Sequence, residues 1–187
     1  DWINYTPYEN RLIGSFILLD QPERAQQLIE FFLDDQKPHN WNHWAEVVWK
    51  DDKTPLFIGD MPHTWVGSDF LNAIRSMFVY ENESDESLLL ASALYQDWIN
   101  SPDGISIENL PTYYGEISYS IKKENNKYTF SIYGDVDLPN NGIKIKNFNN
   151  SVLPTEVTVN GIEIKSFTNN EIDVKEFPAI VVIDYGK

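Results

Sequence analysis

The sequence predicts an α+β fold: an N-terminal helical segment, residues 1–102, followed by an antiparallel β-sandwich, residues 103–187. A change of apolar spacing is the main reason. Before residue 103 apolar side chains recur at intervals of three and four, whereas after Gly104 they alternate, the periods of an amphipathic helix and a half-buried strand. The breaks change too, from helix starts led by Pro7 and Pro22 to a tight-turn signal at Asn160-Gly161.

Thr6-Pro7-Tyr8-Glu9 has the form of a capping box with proline at the first helical position, where its missing N–H costs nothing, so a helix is expected to start there. Leu12, Phe16 and Leu19 continue it. After the break at Asp20-Gln21-Pro22, Ala25, Leu28, Ile29, Phe32 and Leu33 define a second helix, and so short a turn makes an antiparallel hairpin. A third helix is predicted from Trp65 to Tyr80, with Val66, Phe70, Ile74, Met77 and Phe78 on one face. Between the second and third helices runs a long aperiodic stretch. Loops of that length are usually functional or disordered, and this one is too aromatic to be disordered. Three helices cannot cover all their own apolar faces, so the helical part is expected to pack on the sandwich or to end a larger helical array.

Glu81-Asn82-Glu83-Ser84-Asp85-Glu86 reads as an exposed acidic turn before a strand at Leu88–Leu90, with no function attached. Farther on, Ile117, Tyr119, Ile121 and Tyr128, Phe130, Ile132 flank a turn at Glu124-Asn125-Asn126-Lys127. Val157–Ile164 is a second hairpin, because Asn160-Gly161 readily takes the positive φ angles of a type I′ turn. Ile143, Val152 and Ala179–Ile183 supply further strands, for about seven or eight in all.

Composition narrows the function. With 187 residues, 42% of them hydrophobic, the chain can bury a core, and no apolar run approaches the length of a membrane span. No membrane is expected as a partner on that ground, and a formal charge of -15 repels phosphate backbones, so nucleic acid is not expected either. Cysteine is absent, which removes disulfides and thiolate metal sites but does not identify the compartment. The sequence starts at Asp1, not at a methionine, and opens on no signal-peptide pattern, so the chain is expected to be a processed or excised piece of something longer.

The densest chemistry lies at residues 40–49, NWNHWAEVVW, where Trp41, Trp44 and Trp49 surround Glu46. Sugar rings present apolar faces that stack on aromatics, and glycosidic cleavage needs a pair of carboxyl groups. Glu46 is the candidate for one of that pair. If the segment is extended, Trp44 and Glu46 share a side; if it is helical, His43 and Trp49 flank Glu46 instead. The plainer alternative is that the indoles anchor a loop while Glu46 pairs with Lys50 or Lys53. A second cluster, Gly59-Asp60-Met61-Pro62-His63-Thr64-Trp65, precedes the third helix, where free backbone N–H groups can bind hydroxyls or anions. Thr64 as an ordinary N-cap and His63 as a structural histidine explain it equally well. Metal binding is not expected, because His39, His43 and His63 lack compact ligand spacing. No G-x-S-x-G, phosphate loop or C-x-x-C occurs, and no cofactor is called for.

Taken in order, these motifs resemble the C-terminal end of glycosidases built on an α/α toroid of six helical hairpins, most of all the α-L-rhamnosidase-like members. Trp41 to Trp49 resembles the segment carrying the catalytic base, and Pro62-His63 with the following helix resembles the next motif, where a histidine faces the sugar. Trp98-Ile99, Gly104-Ile105 and Leu110-Pro111-Thr112-Tyr113-Tyr114-Gly115 resemble the passage into the terminal β-sandwich. The resemblance implies that Glu46 is the general base of an inverting hydrolysis, that His63 contacts substrate and that Trp44 walls the sugar site; Trp41, Asp60 and Trp65 are further candidate substrate-binding residues. Ala45 stands between Trp44 and Glu46, where the family's Trp-Glu pair is adjacent. The implied partners are a glycoside or oligosaccharide and an upstream catalytic barrel that carries the general acid, so this chain alone is expected to be inactive. A secreted or periplasmic location is implied as well. Two other readings stay open: a non-catalytic carbohydrate-binding or structural sandwich, for which Tyr113, Tyr114, Tyr119 and Tyr128 offer a platform, and a protein that covers its helices by oligomerising.

Overall fold

The computed structural model describes residues 3–39, 41–51, 59–147 and 152–186. The fold is α+β, and the chain forms two compact units, Asp1–Met77 and Phe78–Lys187. That division falls well before residue 103. Strand-forming residues begin immediately after the third helix, so the short strands at 79–90 join the second unit and not the first.

In the first unit, β1 (Asn4–Tyr5) pairs antiparallel with β2 (Val48–Trp49). Pro7–Asn10 forms a single 3-10 turn that leads into α1 (Arg11–Leu18). The expected capping box does not form: the Thr6 side chain caps no helix N–H and donates instead to the Glu46 carbonyl oxygen at 2.7 Å. α2 (Pro22–Asp34) starts at its proline, as that residue's fixed φ favours. Ile13, Ile17, Ala25, Ile29 and Phe32 bury the facing sides of α1 and α2, and Tyr5 adds its ring at 5.9 Å from that of Phe32. Outward, Leu12, Leu18, Leu19, Phe31 and Leu33 remain exposed. α3 (Thr64–Phe78) buries Val66, Ala73 and Met77, the stripe that its apolar period marks. It stops at Phe78, short of the predicted Tyr80, because Val79 and Tyr80 pair as strand.

The second unit holds a four-stranded and a six-stranded sheet. β3 (Val79–Asn82) and β4 (Ser87–Leu90) form a hairpin around the acidic turn. α4 (Gln96–Ile99) follows, then β5 (Ile105–Thr112), β6 (Gly115–Glu124) and β7 (Lys127–Val136). β8 (Ile143–Lys146), β9 (Glu156–Val159), β10 (Ile162–Glu163), β11 (Glu171–Val174) and β12 (Ala179–Asp184) complete the chain. The larger sheet runs β10-β9-β12-β7-β6-β5 and the smaller β11-β8-β4-β3. One pair departs from the antiparallel expectation: β4 lies parallel to β8. Val152, expected in a strand, is in irregular exposed chain, since no neighbouring strand pairs with it among the described residues.

Alternation fixes which faces are buried. Ile117, Tyr119 and Ile121 of β6 and Tyr128, Phe130 and Ile132 of β7 are all buried. Tyr119, fully enclosed, donates its hydroxyl to the Phe78 carbonyl at 3.0 Å, and loss of water pushes its pKa far up. Asn160 and Gly161 both take positive φ at the β9–β10 turn, as type I′ geometry requires. No described helix is long and apolar enough to cross a membrane.

The acidic turn carries a structural charge. Asp85 forms an ion pair with Lys144 of β8 and accepts a hydrogen bond from Ser87 at 2.6 Å. Loss of water raises the Asp85 pKa, but the hydrogen bonds from Lys144 and Ser87 outweigh it and hold the carboxyl below its ordinary range. A depressed folded-state pKa stabilises the fold above the unfolded value, about 3.9, and that contribution is lost as pH falls through the folded value. Asp85→Asn should therefore lower the urea midpoint at neutral pH, with the gap to the native chain closing in strong acid. A gap that does not change with pH contradicts the assignment.

Candidate functional site

Two segments distant in sequence are tied side by side in the first unit. The Glu46 N–H donates to the Asp60 carbonyl at 3.1 Å, and the His63 N–H donates to the Trp44 carbonyl at 2.7 Å. A third bond runs from the Asp60 N–H to the Glu46 carboxylate at 3.3 Å. Trp44 anchors this arrangement: it is 8% exposed, its ring centroid 4.8 Å from that of Phe70 on α3. Thr6 closes the other side through its bond to the Glu46 carbonyl.

The result is a concavity of about 500 Å³ lined by Tyr8, Glu46, Asp60, Met61, Pro62, His63, Thr64 and Trp65. One ligand atom from each of Glu46, Asp60 and His63 lies within 4.8 Å of the others. Glu46 and His63 are half-buried and Asp60 is exposed, so the carboxylates meet solvent at the mouth. Among the described residues no lysine or arginine pairs with Glu46 or Asp60, and Lys53, offered above as a partner for Glu46, lies outside them. Arg11, the nearby cation, is engaged by Asp69 at 2.9 Å and sits 5.2 Å from the centre of the Tyr8 ring.

Of the residues singled out by sequence, Glu46, Asp60, His63 and Trp65 come together. Trp65 is 70% exposed, with its indole edge-on to the rings of Tyr8 and His63. Trp44 and Trp41 do not line the concavity. Trp44 is consumed by packing, and Trp41 is 54% exposed with its ring against His43. Thr64, the alternative N-cap, opens α3 as its first residue.

Tyr8 is the member that sequence reasoning missed. It stands in the 3-10 turn, its hydroxyl hydrogen-bonded to Nε2 of His63 and its ring edge-on to the imidazole at 5.3 Å. Loss of water and then the charge of Glu46 push its pKa above the ordinary tyrosine value. Only its place in a capping-box pattern marked it, and no spacing rule connects it to His63.

Chemically, the concavity offers two carboxylates, an oriented imidazole and two aromatic edges in one open site. No protein-family model, curated protein or solved structure matches the chain.

Gly59 makes the close approach possible. Its φ is +71°, and a Cβ there would lie 2.6 Å from Glu46 Oε2 and 2.7 Å from Glu46 Cβ. Gly59→Ala should cost about 1 kcal/mol or more of stability and displace the Glu46 side chain, since both backbone strain and collision act. Chemical denaturation of the variant checks it, and an unchanged midpoint would show that the turn does not hold this geometry.

Proposed function

We propose that the first unit is one wall of the sugar site of a glycoside hydrolase, with Glu46 as the general base that activates water. The observation that carries this reading is the meeting of Glu46, Asp60 and His63 in one open concavity edged by the rings of Tyr8 and Trp65. Carboxylates and an imidazole hydrogen-bond sugar hydroxyls, and exposed aromatic faces take the apolar side of a pyranose. Asp60 is a substrate contact in this reading and not the general acid. Its ligand atom lies within 4.8 Å of that of Glu46, closer than the roughly 6.5–9.5 Å of an inverting pair or the roughly 5–5.5 Å of a retaining pair. The acid is then supplied from an upstream catalytic barrel.

In the same proposal α1, α2 and α3 are the last helices of an α/α toroid, and the sheets of the second unit are the terminal β-sandwich. Leu12, Leu18, Leu19, Phe31 and Leu33, exposed on α1, α2 and the turn between them, support further helices packing there. The non-catalytic alternative draws less support. Of the four tyrosines expected to form a sugar platform, Tyr119 and Tyr128 are buried and only Tyr113 is broadly exposed.

Titration of the chain with soluble glycosides should change tryptophan fluorescence saturably. The change should disappear in Trp65→Ala and survive in Trp41→Ala. A flat titration, or a signal indifferent to Trp65, counts against the site. In a longer form of the protein that hydrolyses glycosides, Glu46→Gln should lower kcat by about 100- to 10,000-fold, the usual weight of a positioned general base.

A further inference from the structure

We propose that Glu46, Asp60 and His63 form a binding site for one divalent transition-metal ion, with Zn²⁺ as the matching species. The inference does not depend on the glycoside reading, and an ion held by Glu46 would take that carboxylate out of general-base work while bound. Three observations carry it.

The first is the donor set. One imidazole nitrogen and two carboxylate oxygens suit Zn²⁺, whereas an all-oxygen set would suit Mg²⁺ or Ca²⁺. Three protein donors also leave a coordination position open for water or a substrate hydroxyl, the arrangement of reactive rather than structural zinc sites.

The second is geometry. The three ligand atoms already lie within 4.8 Å of one another, while a tetrahedron with bonds of about 2.0 Å has edges of about 3.3 Å. The widest gap must therefore close by no more than about 1.5 Å, within the reach of side-chain rotation at the open mouth of the concavity. The backbone bonds from Glu46 to Asp60 and from His63 to Trp44 keep the donors in register while the side chains close.

The third is electrostatic. Glu46 and Asp60 face each other without a cationic partner among the described residues, in a chain of net charge -15. A divalent ion would relieve that repulsion. The Tyr8 hydroxyl hydrogen-bonded to His63 Nε2 adds an outer partner of the kind that orients metal-ligating histidines, and Nδ1 is then the ring nitrogen that would face the ion. Sequence spacing hides this set, because the donors come from two segments joined by backbone hydrogen bonds instead of one helix face.

The test is calorimetric titration of Zn²⁺ into chelator-treated chain, with Ca²⁺ as comparison. One Zn²⁺ should bind per chain, more tightly than Ca²⁺, and Glu46→Gln, Asp60→Asn and His63→Gln should each weaken binding at least tenfold. His39→Gln and His43→Gln should leave it unchanged. Circular dichroism establishes that each variant is folded; for any that is not, the His63 ring nitrogen signals of the native chain are followed by NMR and should shift on Zn²⁺ addition. No binding by the native chain overturns the proposal, as does affinity that depends on His39 or His43, or His63 signals that stay in place. The glycoside titration is performed without metal, so the two readings fail separately.

Discussion

Everything in the candidate site hangs on the pairing of two short loop segments through the Glu46-to-Asp60 and His63-to-Trp44 backbone bonds. Neither segment has a regular element of its own to stiffen it. The pairing works because Trp44 is driven into the apolar face of α3 against Phe70, which fixes the height of the 44–46 segment above that helix. Once Trp44 is buried, its carbonyl meets the N–H of His63 at the start of α3, and the register carries Glu46 to Asp60. Burial of one large aromatic thus sets the position of three polar side chains. The indole that resembles a sugar-facing wall acts through the core instead, and the ring offered to solvent is that of Trp65.

The second constraint comes from the N-terminal segment. Thr6 and Tyr8 stand two residues apart at the entry to the 3-10 turn, and both reach the site: one through the Glu46 carbonyl, the other through the His63 ring. Arg11 continues this line by pairing with Asp69. The first residues of α1 are therefore held to the start of α3 by polar contacts, while the interior of the helix pair is held by Ile13, Ile17, Ile29 and Phe32. Such an arrangement concentrates rigidity beneath the concavity and leaves its mouth, at Asp60 and Trp65, exposed.

Much of the regular structure was legible because it follows local periodicity. Ala25, Ile29 and Phe32 on α2, the β6–β7 hairpin around Asn125, and the Asn160-Gly161 turn all appear where spacing and turn chemistry put them. The failures have physical causes. Val79 and Tyr80 continue the apolar rhythm of α3, so sequence extends the helix through residues that pair with Leu90 and Leu89 as strand. The parallel β4–β8 contact joins segments with no local signal between them. Thr6 looks like a cap, whose side-chain oxygen would accept from a helix N–H, but its hydroxyl donates to the Glu46 carbonyl instead, a contact set by tertiary structure. In the site, residue types were legible and partnerships were not: Glu46 and His63 stood out by chemistry, but Tyr8 joined them through folding.

The most direct measurement is native-state hydrogen exchange at the amides of Glu46 and His63. If the two backbone bonds hold the segments together, both amides should exchange at least roughly a hundredfold more slowly than unpaired amides of an exposed segment such as His43. Exchange of both at unpaired rates would contradict the pairing, and with it the convergence of Glu46, Asp60 and His63.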